Sequence, residues 1–225
     1  MTRPLPILVI NPNSNPAVTD GLRAATAAFR LPAGPEIECI TLTQAPPGIE
    51  SQADIEAVEP LLLAEIAARR QVSAVVLACY SDPAIDACRR AAGVPVLGIQ
   101  ESALSVALTS GRRFGVLAIQ TQSVARHLAY VRRLGLEARL AGERPLNISV
   151  TESASGEGVS RRLESVGRQL IEQDGADVLI LGCAGLSRQR RLLQETLGVP
   201  VIDPTQAAVG LALTAILSGG ECGEN

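Results

Sequence analysis

The sequence predicts an α/β protein of two similar lobes, each a mainly parallel sheet flanked by helices, with a ligand cleft between them. Three observations lead there. Apolar runs of strand length alternate with segments of helical spacing. The runs are apolar at nearly every position, as strands covered on both faces are. The pattern also repeats within the chain.

The first run, ILVIN (7–11), opens onto the turn-rich Asn11-Pro12-Asn13-Ser14, and IECITL (37–42) forms the next strand. From Asp54 to Arg70, Ile55, Val58, Leu62 and Ile66 fall on one stripe and predict a helix. AVVLAC (74–79) is a strand ending in a cysteine, followed by the helical DACRR and the strand VPVLGI (94–99). FGVLAI (114–119) opens the second half, and the helical ARHLAYVRR comes after it. Ser155-Gly156-Glu157-Gly158 reads as a loop and helix start, and Gly156 to Glu172 carries Val159, Leu163, Val166 and Leu170 on one stripe. DVLILGC (177–183) again ends in cysteine, VPVI (199–202) is the last strand, and Pro204 to Gly220 is an alanine-rich, buried-face helix.

The repeat relates AVVLACYSDPAIDACRRAAGVPVLGI, from Ala74, to VLILGCAGLSRQRRLLQETLGVPVID, from Val178. Cys79 and Cys183 are 104 positions apart and the two GVPV motifs 105. VINPNSNPAV, from Val9, likewise matches AIQTQSVARH, from Ala118, pairing Asn11 with Gln120 and Ser14 with Ser123. We therefore expect a first lobe of residues 1–103 plus 207–225 and a second of 104–206.

The 225 residues carry 20 basic and 23 acidic side chains, a formal charge of −3. All the basic residues are arginine, and His127 is the single histidine. Without lysine there is no Schiff-base chemistry and no Walker-A lysine, and one histidine cannot build a multi-histidine metal site. No cofactor and no metal are expected. Scattered arginines and an aromatic share of 2% lack the basic stripe and stacking platform of a nucleic-acid binder. Neither a signal peptide nor a membrane span is predicted. Five cysteines without a CxxC pair fit free thiols in the cytoplasm, where we expect the protein as a homo-oligomer acting on a small molecule.

Cys39, Cys88 and Cys222 read as small hydrophobes or tail residues, whereas Cys79 and Cys183 lie at the carboxyl ends of strands, where open parallel sheets hold ligands. Asp82 suits an N-cap and Pro83 a first helical position, so a helix N-terminus is expected to lower the Cys79 thiol. The small residues of Gly182-Cys183-Ala184-Gly185 let backbone N–H groups approach a ligand. Two thiols on opposite faces of a flat carbon acid form a two-base device. One thiolate removes a proton and the opposite thiol returns one, with matched reference pKa values near about 8.5. Asn11, Ser81 and the N–H groups of Ala184 and Gly185 are placed to hold the developing enolate oxygen. His127 reads as a surface or lobe-contact residue, Glu152 or Ser153 as bordering the cleft, and the arginine pairs as solvated faces.

These motifs resemble the aspartate/glutamate/hydantoin racemase superfamily, most closely its hydantoin and allantoin racemase branch. The resemblance rests on INPNS with Thr19, ACYSDPAID, VPVLGIQESA, GRRFGVLAI, DVLILGCAGL and GVPVIDPTQAAV, and runs nearly the whole chain. It implies a cofactor-independent racemase with Cys79 and Cys183 as the catalytic pair. Asn11, Tyr80, Ser81, Gln120, Thr121, Ala184 and Gly185 would be substrate contacts. Amino-acid racemases of the superfamily carry Asn-Thr after the first cysteine where this chain has Tyr80-Ser81, which argues against a free amino acid. A maleate cis-trans isomerase, an amino-acid racemase of the same superfamily and a non-catalytic small-molecule-binding protein are the rival readings.

Overall fold

A computed structural model describes residues 4–155 and 158–219. The expected Gly156 and Glu157 of the helix start, the terminal Gly220 of the last helix, and Cys222 lie outside them. The strands β1 (Ile7–Asn11), β2 (Ile37–Thr41), β3 (Ala74–Leu77) and β4 (Val96–Gly98) form one sheet in the order β2-β1-β3-β4. A second sheet contains β5 (Phe114–Ala118), β6 (Leu140–Pro145), β7 (Val178–Gly182) and β8 (Val201–Ile202), in the order β6-β5-β7-β8. Every pairing is parallel, with Ile10 opposite Leu77 in the first sheet and Ala118 opposite Gly182 in the second. The fold is therefore the expected pair of similar α/β sheets.

Strands β1, β3, β5 and β7 are buried at every position, which explains their unbroken apolar sequence. Alternate residues serve opposite faces. Leu8 and Ile10 meet Val58, Leu62 and Ile66 of helix α2 (Gln52–Ala68), which starts on the reciprocal Ser51/Asp54 capping box. Ile7 and Val9 face inward, in one continuous core with Leu179 and Leu181 of β7. At about 25 cal/mol per Å², each such fully buried side chain contributes roughly 1.5–3 kcal/mol.

Strand β6 has no counterpart among the predicted runs, because it is an edge strand whose residues are only partly buried. Its Arg144 is pinned bidentately by Asp174, at 2.6 and 2.9 Å, and such charged anchoring suits an edge that must not pair further.

The remaining helices are α1 (Pro16–Thr26), α3 (Ile85–Ala91), α4 (Ile99–Ser110), α5 (Thr121–Arg133), α6 (Val150–Ser155), α7 (Val159–Glu172), α8 (Arg190–Leu197) and α9 (Pro204–Gly219). Helix α4 leaves the first sheet yet packs on β7 and β8, and α9 leaves the second sheet yet packs on β3 and β4. The two helices also pack on each other and tie the lobes together.

Where α4 and α9 begin, the lobes solve one problem in two ways. Asp82 is not the cap of the helix that follows it. Its carboxylate reaches across to accept from the backbone N–H groups of Gln100 and Glu101, both at 2.9 Å, at the start of α4. The preceding Gly98 leaves the room, since a Cβ there would lie 2.2 Å from the Asp82 carboxyl carbon. Shifted by the 105-residue repeat, these positions become Ser187, Asp203, Thr205 and Gln206. There Asp203 itself accepts from the N–H groups of Thr205 and Gln206, at 2.8 and 3.0 Å, and Ser187 donates to Ala184 O at 2.9 Å. Each lobe thus places one buried carboxylate between its cysteine turn and the next helix, from opposite members of the pair.

Candidate active site

Both cysteine turns leave the carboxyl ends of central strands, β3 for Cys79 and β7 for Cys183, and open into one cavity. Its free volume, counting the space at its open mouth, is ≈ 510 Å³. Of the residues singled out from sequence, Cys79, Tyr80, Ser81, Gln120, Cys183, Ala184 and Gly185 line it. Asn11 and Thr121 do not. Thr121 is exposed, its hydroxyl bonded to Asn147 at 2.8 Å.

Asn11 lies one layer behind the wall. Fully buried, it donates to Asn13 Oδ1, Asn15 O and Thr19 Oγ1 at 3.0–3.1 Å. These bonds fix Asn13, whose carbonyl oxygen is taken by Asn11 and by the Asn15 N–H at 2.9 Å. The Asn13 amide nitrogen is left to donate into the cavity that Asn13 lines. Sequence reasoning chose the strand-end asparagine of NPNS; the loop presents the second one.

The thiols are buried rather than activated by a helix. Cys183 is 8% exposed; its Sγ accepts from the Gly185 N–H at 3.4 Å and lies 3.6 Å from Ser153 Oγ. Burial raises its pKa, while Ser153 and Gly185 pull it down. Cys79 is half-buried, and burial pushes its thiol up to about 12 against the lowering effect of the Ser81 N–H. The expected helix effect on Cys79 is absent because Asp82 caps α4 and the next helix, α3, begins only at Ile85. The backbone N–H groups of Ser81 and Gly185 point at the sulfurs, so they favour thiolate rather than a substrate oxygen.

Helix α5 contributes residues that sequence reasoning did not assign to the site. Ser123, Arg126 and His127, at i, i+3 and i+4, line the cavity. His127 is 3% exposed, its Nδ1 2.6 Å from Glu143 Oε1 of β6, and its ring stands edge-on to Tyr80 at 5.1 Å. Burial raises the Glu143 carboxyl, and His127 opposes the shift. Arg126 donates from Nη2 to Ser81 Oγ at 3.2 Å. Glu50 completes the wall, its Oε1 held by the Val150 N–H at 2.8 Å. Among the described residues, no three or more of His, Cys, Asp and Glu are grouped to hold a metal ion, and no helix is long and apolar enough to cross a membrane.

A family model described as Asp/Glu/Hydantoin racemase matches residues 7–212. The chain is 34% identical to a hydantoin racemase of Paenarthrobacter aurescens over 220 residues, 95% of this chain and 92% of that one. It is 35% identical to a hydantoin racemase of Rhizobium meliloti over 218 residues, 95% and 89% of the two chains. The solved allantoin racemase from Klebsiella pneumoniae superposes with a TM-score of 0.90 at 28% identity, covering 96% of this chain and 89% of that one. With two lobes, a shared cavity and this match along its length, the chain belongs to the Asp/Glu/Hydantoin racemase family.

Proposed function

We propose that the chain racemises 5-substituted hydantoins or allantoin without a cofactor, with Cys79 and Cys183 as the acid/base pair. The observation that carries this reading is that two thiols from the cysteine turns of different sheets open into one cavity. A flat ring between them presents one face of its acidic C–H carbon to each sulfur. One thiolate takes the proton, charge grows on the adjacent carbonyl oxygen, and the opposite thiol protonates the other face. The Asn13 amide N–H is the candidate donor to that oxygen. Ser81 N–H supports a thiolate at Cys79, and Gly185 N–H supports one at Cys183. Gln120 donates its amide nitrogen to Ile148 O at 2.9 Å, which leaves its carbonyl for a ring N–H.

Loss of optical rotation by enantiopure hydantoins, allantoin and free amino acids, before and after exhaustive chelation, tests the proposal. Hydantoins or allantoin should racemise and amino acids should not, with no effect of chelation. Turnover of free amino acids alone, or a stoichiometric metal requirement, overturns it. A homo-oligomer in the cytoplasm is proposed as the working state, and sedimentation measures the first part of that.

A further inference from the structure

We propose that Arg126, with Ser81, makes the site selective for substrates whose ring substituent ends in a carboxylate. This rests on the hydantoin reading above and adds the chemistry of the substituent. Arg126 is a partly buried guanidinium on the cavity wall. Among the described residues no carboxylate lies within ion-pairing distance of it, and Ser81 Oγ, at 3.2 Å from Nη2, is its hydrogen-bond partner. Its Nε is buried and unpartnered. Nε and Nη2 lie along one of the two edges by which a guanidinium grips a carboxylate through two parallel bonds. Of the carboxylates at the cavity, Glu50 Oε1 is held by the Val150 N–H at 2.8 Å, and Glu143 has Oε1 2.6 Å from His127 Nδ1 while its Oε2 is unpartnered and makes no ion pair with Arg126.

The donors that serve the thiols are separate from this group. Ser81 N–H and Gly185 N–H are spent on sulfur and Asn13 faces the cavity from α1's leading turn, whereas Arg126 projects from the second turn of α5. Glu143 acts on Arg126 through space but forms no ion pair with it, and a substrate carboxylate at the guanidinium supplies a direct counter-charge and both acceptor oxygens. A carboxamide of the same shape offers one acceptor, no charge, and an N–H₂ that faces the donors.

The test compares enantiopure 5-(2-carboxyethyl)hydantoin with its near-isosteric primary amide, by polarimetry, in the wild type, Arg126→Met and Arg126→Lys. The wild type should favour the acid in kcat/KM by about 10- to 100-fold, mainly through KM, as a charge-assisted bidentate pair requires. The acid-to-amide ratio should fall to near one in Arg126→Met and to an intermediate value in Arg126→Lys, which keeps the charge but not the fork. A wild-type ratio at or below one overturns the inference. So does an equal loss on both compounds in Arg126→Met, which would make Arg126 part of the machinery acting on the ring. If Arg126→Met does not fold, the wild-type ratio and Arg126→Lys decide. Failure of the wild type to racemise any hydantoin, allantoin included, overturns the underlying reading instead and is recognised by that blank result.

Discussion

The exchanged carboxylate of the two lobes can be moved by mutation. In Asp82→Ser the start of α4 loses two charge-assisted bonds of 2.9 Å. Each is worth about 1.5–3 kcal/mol, but burial lifts the Asp82 carboxyl to about 7, so desolvation offsets part of the gain. A net loss of about 2 kcal/mol follows, or roughly 4–8 °C in Tm at this chain length. Gly98→Asp alone drives its Cβ to 2.2 Å from the Asp82 carboxyl carbon and costs about 2–3 kcal/mol by overpacking. The double variant rebuilds the arrangement of Ser187 and Asp203. Its new carboxylate can reach the Gln100 and Glu101 N–H groups as Asp203 reaches Thr205 and Gln206. Serine at a φ of 43° retains some left-handed strain, so recovery should stop about 1 kcal/mol short of the wild type. Thermal unfolding and kcat/KM of the four proteins close a double-mutant cycle with an expected coupling of about 3 kcal/mol. Additive losses in the double variant would refute the equivalence of the two anchors.

Two further outcomes follow from the thiols. With burial holding Cys79 near about 12 and raising Cys183, the free enzyme is mostly thiol at neutral pH, so kcat/KM should climb about tenfold per pH unit from 7 to at least 9. A plateau already at pH 7 in the pH–rate profile contradicts this. In Gly185→Ala the new Cβ meets Ser153 Oγ at 2.3 Å and must push that hydroxyl away from Cys183. A loss of about 1–3 kcal/mol in urea unfolding and about tenfold or more in kcat/KM is expected; adding Ser153→Ala, which removes the clash and with it the hydroxyl beside Cys183, should recover the stability but not the rate.

Strands β1, β3, β5 and β7 were legible because a strand covered on both faces has no polar position to interrupt it. Strand β6, LAGERP, was not, because an edge strand is free to be polar and its partners are set by Asp174, far along the chain. The cysteine turns could be located from the repeat and from strand ends alone. The role of Asp82 could not: capping signals are read over three or four residues, and its partners lie 18 and 19 residues on. His127 read as a surface or lobe-contact residue and Arg126 was not singled out, because α5 is polar on most sides. The signal that could have found them is spacing. A helix that starts at the carboxyl end of β5 turns its early i, i+3 and i+4 positions toward the cleft, here Ser123, Arg126 and His127.

The two-base mechanism stands or falls on what each single cysteine variant still does. In heavy water, Cys79→Ser and Cys183→Ser should each fail to racemise, since a serine hydroxyl cannot act as a base near neutral pH. Each keeps one thiolate, so one variant should exchange the ring C–H of one enantiomer with retention, and the other variant that of the opposite enantiomer. Mass spectrometry and chiral chromatography read both events, against a buffer blank and the double variant. Opposite enantiomeric preferences for exchange, without racemisation, is the predicted result. Substantial racemisation by either single variant, or exchange of the same enantiomer by both, would contradict the assignment of one cysteine to each face.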